Sequence, residues 1–484
     1  MLKKTKFMLL FSSMVCITSI PFITTSCNSK VTTDYTGKTD GTDWKGRTAG
    51  ALHMIFPGDG TATIQGLDGF SATNLVFPSH VVDPDGNVFS FTSLKNNIFA
   101  DTGECLKGTI TFQNNITSIG YGAFMNCAGI TGTINLPASL TDIGDKAFLG
   151  CKMTDITIEG NYFSFANNCG NAKVLVKTAD GPSFDYAHGE FSIGCLAVGE
   201  LTAPSGVTEI SERRFEGCAG LTKVNFPDSL LTIGNYAFME CTGITGTLSL
   251  PSNIQTIGMG AFDTTSISGT INIPASLTNI GDDVFADCFS LTNITVDPAN
   301  TTYKLAPQQD VGNAQVLMNY SAASFNYETA AIGSLAIGDL VIPESVTSMA
   351  TQCFNNCQLS SVIFLGNEWT ALPSNAFHRC RNLQWVSVPN NVETIGERAF
   401  EDCSGLKVVT IPTSVTEVQA TAFFECGNIN EIYWNDDDVS EITVMSDSFL
   451  GLAPVGVLHT GDQALLYKLQ TDAGLPQGWI VVGA

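Results

Sequence analysis

From Leu221 to Cys241 the apolar positions fall at Leu221, Val224, Phe226, Leu230, Ile233, Ala237, Phe238 and Cys241, and Pro227 interrupts them. The Val224-x-Phe226 alternation predicts a brief strand with its apolar side chains turned inward, and Pro227 blocks continuation of its ladder. Leu230 and Ile233 then turn the chain inward again, while Ala237, Phe238 and Cys241 supply a small residue, a large ring and a compact thiol from the opposite wall. Such a coil cannot bury its apolar face alone, so the pattern needs neighbouring copies to cover it.

Those copies are present. IPASLTNIGDDVFADC from Ile273 is echoed by LPASLTDIGDKAFLGC from Leu136, FPDSLLTIGNYAFMEC from Phe226, VPNNVETIGERAFEDC from Val388 and IPTSVTEVQATAFFEC from Ile411. Aligned on the last residue, the phrase recurs at Cys127, Cys151, Cys218, Cys241, Thr265, Cys288, Cys357, Cys380, Cys403 and Cys426, with short steps of 23 or 24 residues. A fixed period in this range is the signature of a solenoid. Two longer gaps, Cys151 to Cys218 and Cys288 to Cys357, resemble each other: NAKVLVKTADGPSFDYAHGEFSIGCLAVGELTAP from Asn171 matches NAQVLMNYSAASFNYETAAIGSLAIGDLVIP from Asn313. Each is near three periods long and reads as degenerate, strand-rich rungs, which makes a second level of duplication.

The phrase I-P-x-S-[LV]-T-x-I-G-x-x-A-F-x-x-C resembles the BspA-type leucine-rich repeat of bacterial surface proteins, over about Leu75 to Trp434. The resemblance implies a mainly β repeat solenoid, a right-handed leucine-rich repeat coil with rungs of about 23 residues and short parallel strands on the concave face. About fifteen rungs at the usual strand spacing would make a body of roughly 70 Å. The expected organisation is residues 1–27 as a lipoprotein signal peptide, 28–50 as a flexible tether, 51–105 as a β-rich flank, 106–434 as the repeats and 435–484 as a closing cap. Within the repeats, 152–202 and 289–341 are the irregular stretches.

The first residues carry the export reading. Lys3, Lys4 and Lys6 precede a mostly apolar run from Phe7 to Ile23, and Thr24-Thr25-Ser26 lead to Cys27. This order resembles a bacterial lipoprotein signal, in which Cys27 would be lipidated and would tie the chain to the membrane of the cell envelope, with the rest exposed outside the cytoplasm. An ordinary cleaved signal peptide is the plainer alternative.

Charge then narrows the partners. With 22 Lys plus Arg against 46 Asp plus Glu, the formal charge is -24, so the surface repels nucleic-acid phosphates and nucleic acid is excluded as an expected partner. Cysteine does not read as a disulfide scaffold: thirteen remain beyond Cys16 and Cys27, nine of them at one repeat position where Thr265 also stands. A ladder of free buried thiols fits better. No paired zinc-ligand spacing accompanies them; Cys353 and Cys357 lie within a repeat.

Candidate chemistry is sparse. His53, His80, His188, His378 and His459 are scattered and read as exposed loop residues, and Gly258-Met259-Gly260 is a turn within a repeat. The acidic stretches Asp83 to Asn87 and Asp436 to Asp438 do not complete a calcium loop. No catalytic residue, metal site or cofactor is expected, and the chain is not read as an enzyme. Residues between the inward-facing pair of each strand are expected on the concave face: Thr111, Asn135, Thr157, Asn225, Ser249, Asn272, Thr295, Ile363, Ser387, Thr410 and Tyr433. Most are small and neutral until Ile363 and Tyr433 join Trp385 and Val408 from an adjacent column, which makes Ile363, Trp385, Val408 and Tyr433 the candidate binding surface. The plainer reading is that Trp385 and Tyr433 cover the seam with the cap. The family resemblance implies an adhesin that contacts a host matrix or cell-surface protein or glycan. A glycan-binding or glycan-processing envelope lipoprotein is the rival, although Glu431, Asp155 and Glu159 are too dispersed to act as paired carboxylates, and a passive spacer is the third reading.

Overall fold

The structure is a computed structural model that describes residues 30–32, 47–56, 60–83, 85–102, 105–189, 191–434 and 442–483. Cys27 and residues 435–438 lie outside the described residues, as does most of the expected tether. Of that tether, Lys30–Thr32 forms a short strand antiparallel to Met54–Phe56.

The chain winds as a mainly β solenoid of about 17 turns with rungs about 23 residues apart. Each ordinary rung touches its neighbours along three walls. The first is a sheet of parallel strands such as Leu106–Phe112, Thr131–Leu136 and Lys152–Ile158. The second is a ladder of two-residue strands, for example Thr232–Ile233, Thr256–Ile257 and Asn279–Ile280, whose isoleucines point into the core.

The third wall is a series of turns at Ala-Phe-x-x-Cys. Here the N–H of Phe238 donates to the carbonyl of Ala261 at 2.8 Å, and that of Phe400 to Ala422 at 2.8 Å, so consecutive rungs are bonded although no strand forms. The phenylalanines themselves stack. Phe124 and Phe148 have centroids 5.2 Å apart at 12°, Phe238 and Phe262 5.4 Å at 3°, and Phe377 and Phe400 5.6 Å at 8°. Ring separations slightly above the strand spacing of about 4.8 Å are what one ring per rung requires.

The phrase's polar residues also bond from rung to rung. Ser139 Oγ donates to Ile116 O at 2.7 Å, Ser229 Oγ to Val207 O at 2.8 Å and Ser414 Oγ to Val392 O at 2.7 Å. These hydroxyls satisfy carbonyls that the tight turn after proline leaves without a backbone partner.

The column of rings is interrupted twice, at the two long gaps. In the first, Phe163–Phe165 pairs antiparallel with Lys173–Lys177, which pairs antiparallel with Ala197–Thr202. That last strand resumes the parallel sheet against Gly220–Asn225. The second gap repeats this topology with Tyr303–Leu305, Gln315–Asn319 and Ala336–Ile342. In place of a stacked phenylalanine, Gly194 accepts from the Phe148 N–H at 3.0 Å. It lies at φ +58°, and a Cβ there would come within 2.7 Å of Ile143, so glycine is required. The core consequently divides into three clusters.

At the far end, the strand Val455–His459, the helix Gln463–Asp472 and the strand Gly478–Val482 close the last rung. Asp462 caps the helix by accepting from the Ala464 N–H at 2.7 Å. Leu465, Leu466, Leu469 and Trp479 are buried there. The Trp479 indole donates to Ala453 O at 2.8 Å.

Candidate binding surface

Period-two alternation places the outward residues of the long sheet in columns. In the first rungs the facing residues are small and polar and bond one another along the column: Thr111 and Asn135 are Cα partners, and Thr157 Oγ1 donates to Asn135 Oδ1 at 2.8 Å. Asn272 and Thr295 repeat the arrangement at 2.9 Å.

The last rungs differ. Ile363, Ser387, Thr410, Tyr433, His459 and Val482 follow one another as register partners on six consecutive parallel strands. In the adjacent column Ser361 partners Trp385, Val408 partners Glu431, Glu431 partners Val457, and Val457 partners Ile480. The structure therefore puts Ile363, Trp385, Val408 and Tyr433 on four neighbouring strands of one face. Trp385 is 44% exposed and Tyr433 39%, while Ile363 and Val408 are half-buried.

Tyr433 and Trp385 have different surroundings. The Tyr433 ring stacks flat on His459, centroids 4.0 Å apart at 2°, and His459 belongs to the first strand of the closing unit. Tyr433 thus partly covers that seam. Trp385 sits three strands from the same seam, with Val408–Thr410 and Glu431–Tyr433 between, so seam coverage does not account for it. The surface also extends beyond the four residues expected from the sequence: Ile480 at 57% and Val482 at 43% exposure continue both columns onto the final strand. The signal for them is the short alternation in Gly478–Val482, where Trp479 turns inward and Ile480 outward.

The structure corrects the exposed-loop reading of four histidines: His53 and His80 lie on the strands Arg47–Phe56 and His80–Val82, and two more are covered. His459, expected in an exposed loop, lies half-buried on a strand, with Nε2 3.7 Å from Glu431 Oε1. His378 is also largely covered. Its Nδ1 lies 2.7 Å from Asn355 Oδ1, and burial with the neighbouring Arg379 and Arg398 lowers it to about 4. Both sit on rung positions the repeat leaves variable. His188 does lie exposed, beside Asp185 at 2.9 Å.

The remaining charge lies mainly along the turn wall. Lys146 meets Glu216 at 3.2 Å across the first gap. Across the second, Arg381 pairs with Asp402 and lies 3.6 Å from Asp287, whose carboxyl burial pushes up despite the two arginines near it. Asp155 is held below its ordinary range by an ion pair with Lys173, and Glu159 accepts from Asn135. Among the described residues no group of three His, Cys, Asp or Glu could hold a metal ion, and no helix is long and apolar enough to cross a membrane.

The sequence model described as BspA type Leucine rich repeat region matches in six copies, over residues 92–177, 189–305 and 330–449. No curated protein matches the sequence. Among solved structures, a leucine rich cell surface protein from Faecalibacterium prausnitzii A2-165 is similar at 22% identity, covering 88% of this chain and 98% of its own, with a TM-score of 0.35. A leucine-rich repeat protein from Bacteroides ovatus is 19% identical over 91% of this chain and 98% of its own, TM-score 0.28. The pneumococcal vaccine antigen PcpA is 16% identical over 93% of this chain and all of its own, TM-score 0.36.

Proposed function

We propose, since the chain belongs to the BspA type leucine-rich repeat family, that it is a non-catalytic binding protein of the bacterial cell surface that adheres to a protein on a host or neighbouring cell. Leucine-rich repeat coils are protein-interaction scaffolds, and this is the class of function the family supports. The finer reading is ours. A lipid on Cys27 holds the chain at the envelope, and the face built by Ile363, Trp385, Val408 and Tyr433 takes the partner.

One observation carries it: over four neighbouring strands Ile363, Trp385, Val408 and Tyr433 stand among Ser361, Ser387, Thr410 and Glu431, on a face that carries threonine and asparagine in the first rungs. Outward Trp385 does not cover the seam with the closing unit, and large rings at low entropic cost are what binding hot spots use. The acidic chain adds a long-range bias toward basic or neutral partners.

The test is capture of the purified protein by extracellular-matrix protein preparations and by intact cells. Replacing Trp385 and Tyr433 together by alanine should weaken capture by about tenfold or more without changing the circular dichroism spectrum. Undiminished capture removes this face from the account. Cys27→Ser should release the chain from the membrane fraction, and retention there contradicts the anchor.

A further inference from the structure

A second surface lies near the other end of the array. Where the strands Thr61–Phe77, Leu106–Phe112, Thr131–Leu136 and Lys152–Ile158 end, a shallow, open cleft of about 520 Å³ is lined by Ser79, Thr111, Gln113, Asn114, Asn135 and Glu159, with Phe112 and Asn115 completing it. Its composition departs from the repeat. The residue after the last strand position is proline at Pro137, Pro227, Pro251, Pro274, Pro343, Pro389 and Pro412. On either side of Pro137, that position is Gln113 in one rung and Glu159 in the other.

The fold does not demand this exchange. The duplicated block carries Pro251 and Asp297 on either side of Pro274, and the Asp297 carboxylate turns back to accept from the Ala299 N–H at 2.9 Å. The two blocks therefore carry different residues around this position. Departures from a repeat's own rule concentrate where function resides.

The polar groups are held in place from behind. Gln113 Oε1 accepts from the Ser79 N–H at 3.0 Å, and Asn115 Nδ2 donates to Ser79 O at 3.0 Å. Asn135 Nδ2 donates to Glu159 Oε1 at 2.5 Å. These anchors leave the Gln113 amino group as a donor, and the Asn115 carbonyl oxygen and second Glu159 oxygen as acceptors. The exposed Asn114 amide, with no hydrogen-bond partner among the described residues, offers both. Fixed, closely spaced donors and acceptors match groups that donate and accept at once, which is the property of adjacent sugar hydroxyls. Holding them beforehand reduces the ordering cost of binding.

We infer that this cleft binds a neutral carbohydrate chain, at a site separate from the Trp385 face. Glu159 and the net charge of -24 disfavour anionic sugars. The nearest further carboxylate on that strand, Asp155, is paired with Lys173, so the cleft binds sugar without the two free carboxylates that glycoside hydrolysis uses.

The experiment is native gel electrophoresis of the full chain through soluble mannan, β-glucan, xylan and galactan, with polygalacturonate and heparin as anionic probes. At least one neutral polysaccharide should retard the protein, and the anionic ones should not. Asn114→Ala and Glu159→Gln alter exposed side chains and should each weaken retardation by about tenfold, the scale of a lost charge-assisted hydrogen bond. Gln113→Pro, which installs the sister block's residue, should weaken it further, and Trp385→Ala should leave it unchanged. Absence of retardation by every neutral polysaccharide overturns the inference, as does retardation by the anionic probes alone. So does full retention by Asn114→Ala and Glu159→Gln chains whose circular dichroism is unaltered.

Discussion

The thiol of Cys403 donates to the backbone carbonyl of Phe377, one rung earlier, at 3.0 Å. Cys241 does the same to Phe215, Cys380 to Phe354 and Cys426 to Phe400, each at 3.0 Å. The cysteine position is therefore both a core filler and a second donor to a wall carbonyl that already accepts a backbone N–H. At Thr265 the hydroxyl fills the slot but donates within its own rung, to Phe262 O at 2.9 Å, and lies 3.2 Å from Cys288 Sγ.

That relationship separates packing from hydrogen bonding. Cys403→Thr keeps a donor of the kind Thr265 supplies, whereas Cys403→Val has the same shape without one and leaves the Phe377 carbonyl with only its backbone bond from the Cys380 N–H at 3.1 Å. The valine chain should be less stable than the threonine chain by about 1 kcal/mol, read from urea unfolding. Equal stabilities would mean that the thiol acts by volume alone.

The thiols should also be inert in the native protein. All thirteen cysteines from Cys105 onward are free, and every one except Cys105 is buried. Burial pushes Cys380 up to about 12 and Cys127 up to about 11, so thiolate is scarce at neutral pH. Brief alkylation of the folded chain should mark Cys105 first, and the repeat-position cysteines only after denaturant is added. Rapid native labelling of Cys380 or Cys403 would contradict the buried ladder.

Each turn of the third wall needs two residues at positive φ, one before Ala-Phe and one before Cys, and most are not glycine. Thr264 at φ 57° and Thr421 at φ 55° are the least suited, because a β-branched side chain is strained there. Thr421→Asn should raise stability by about 0.5–1 kcal/mol, measured by thermal or urea unfolding. Destabilisation would show that the threonine side chain compensates for its backbone.

Two buried groups on this wall oppose each other in pH dependence. Burial raises Asp263 to about 7 from an unfolded value of about 3.9. The folded chain therefore holds an extra proton between those values, and this contribution to stability falls as pH rises from about 4 to 7, by at most about 1.4 kcal/mol per unit. His378, lowered to about 4 from about 6.5, contributes stability that rises with pH across about 4 to 6.5. Asp263→Asn removes the falling part: the variant should gain on the parent progressively from pH 4.5 to 7.5 in urea midpoint. A difference that does not change with pH would exclude Asp263 titration.

How much of this was legible follows from which residues the period touches. Phe124, Phe148, Phe238 and Phe400 recur at fixed intervals, and they stack in segments of one column because equal rung lengths leave no other place for them. Trp385 and Tyr433 were placed on one face by alternation alone. The reversal at Lys173–Lys177 was not legible, since alternating apolar residues look the same in parallel and antiparallel strands. Its direction is set by side chains outside the pattern, such as Asn168, whose Oδ1 accepts from the Phe184 N–H at 2.7 Å. Ile480 and Val482 lie beyond the last copy of the phrase, and His378 and His459 occupy variable positions whose burial depends on the rung next door.

Removing one whole rung tests the central claim, that rungs of near-equal length close one another's cores. Deleting residues 404–426 joins Cys403 to Gly427, equivalent points one 23-residue period apart, and brings Phe400 against Phe449. Deleting 404–415 removes about half a rung and leaves no register that stacks both Phe400 and Phe423 with their neighbours. In urea unfolding, the whole-rung deletion should keep a cooperative transition and a native-like circular dichroism spectrum, while the half-rung deletion should lose both. Equal loss in the two chains, or a half-rung deletion as cooperative as the whole-rung one, would contradict the account.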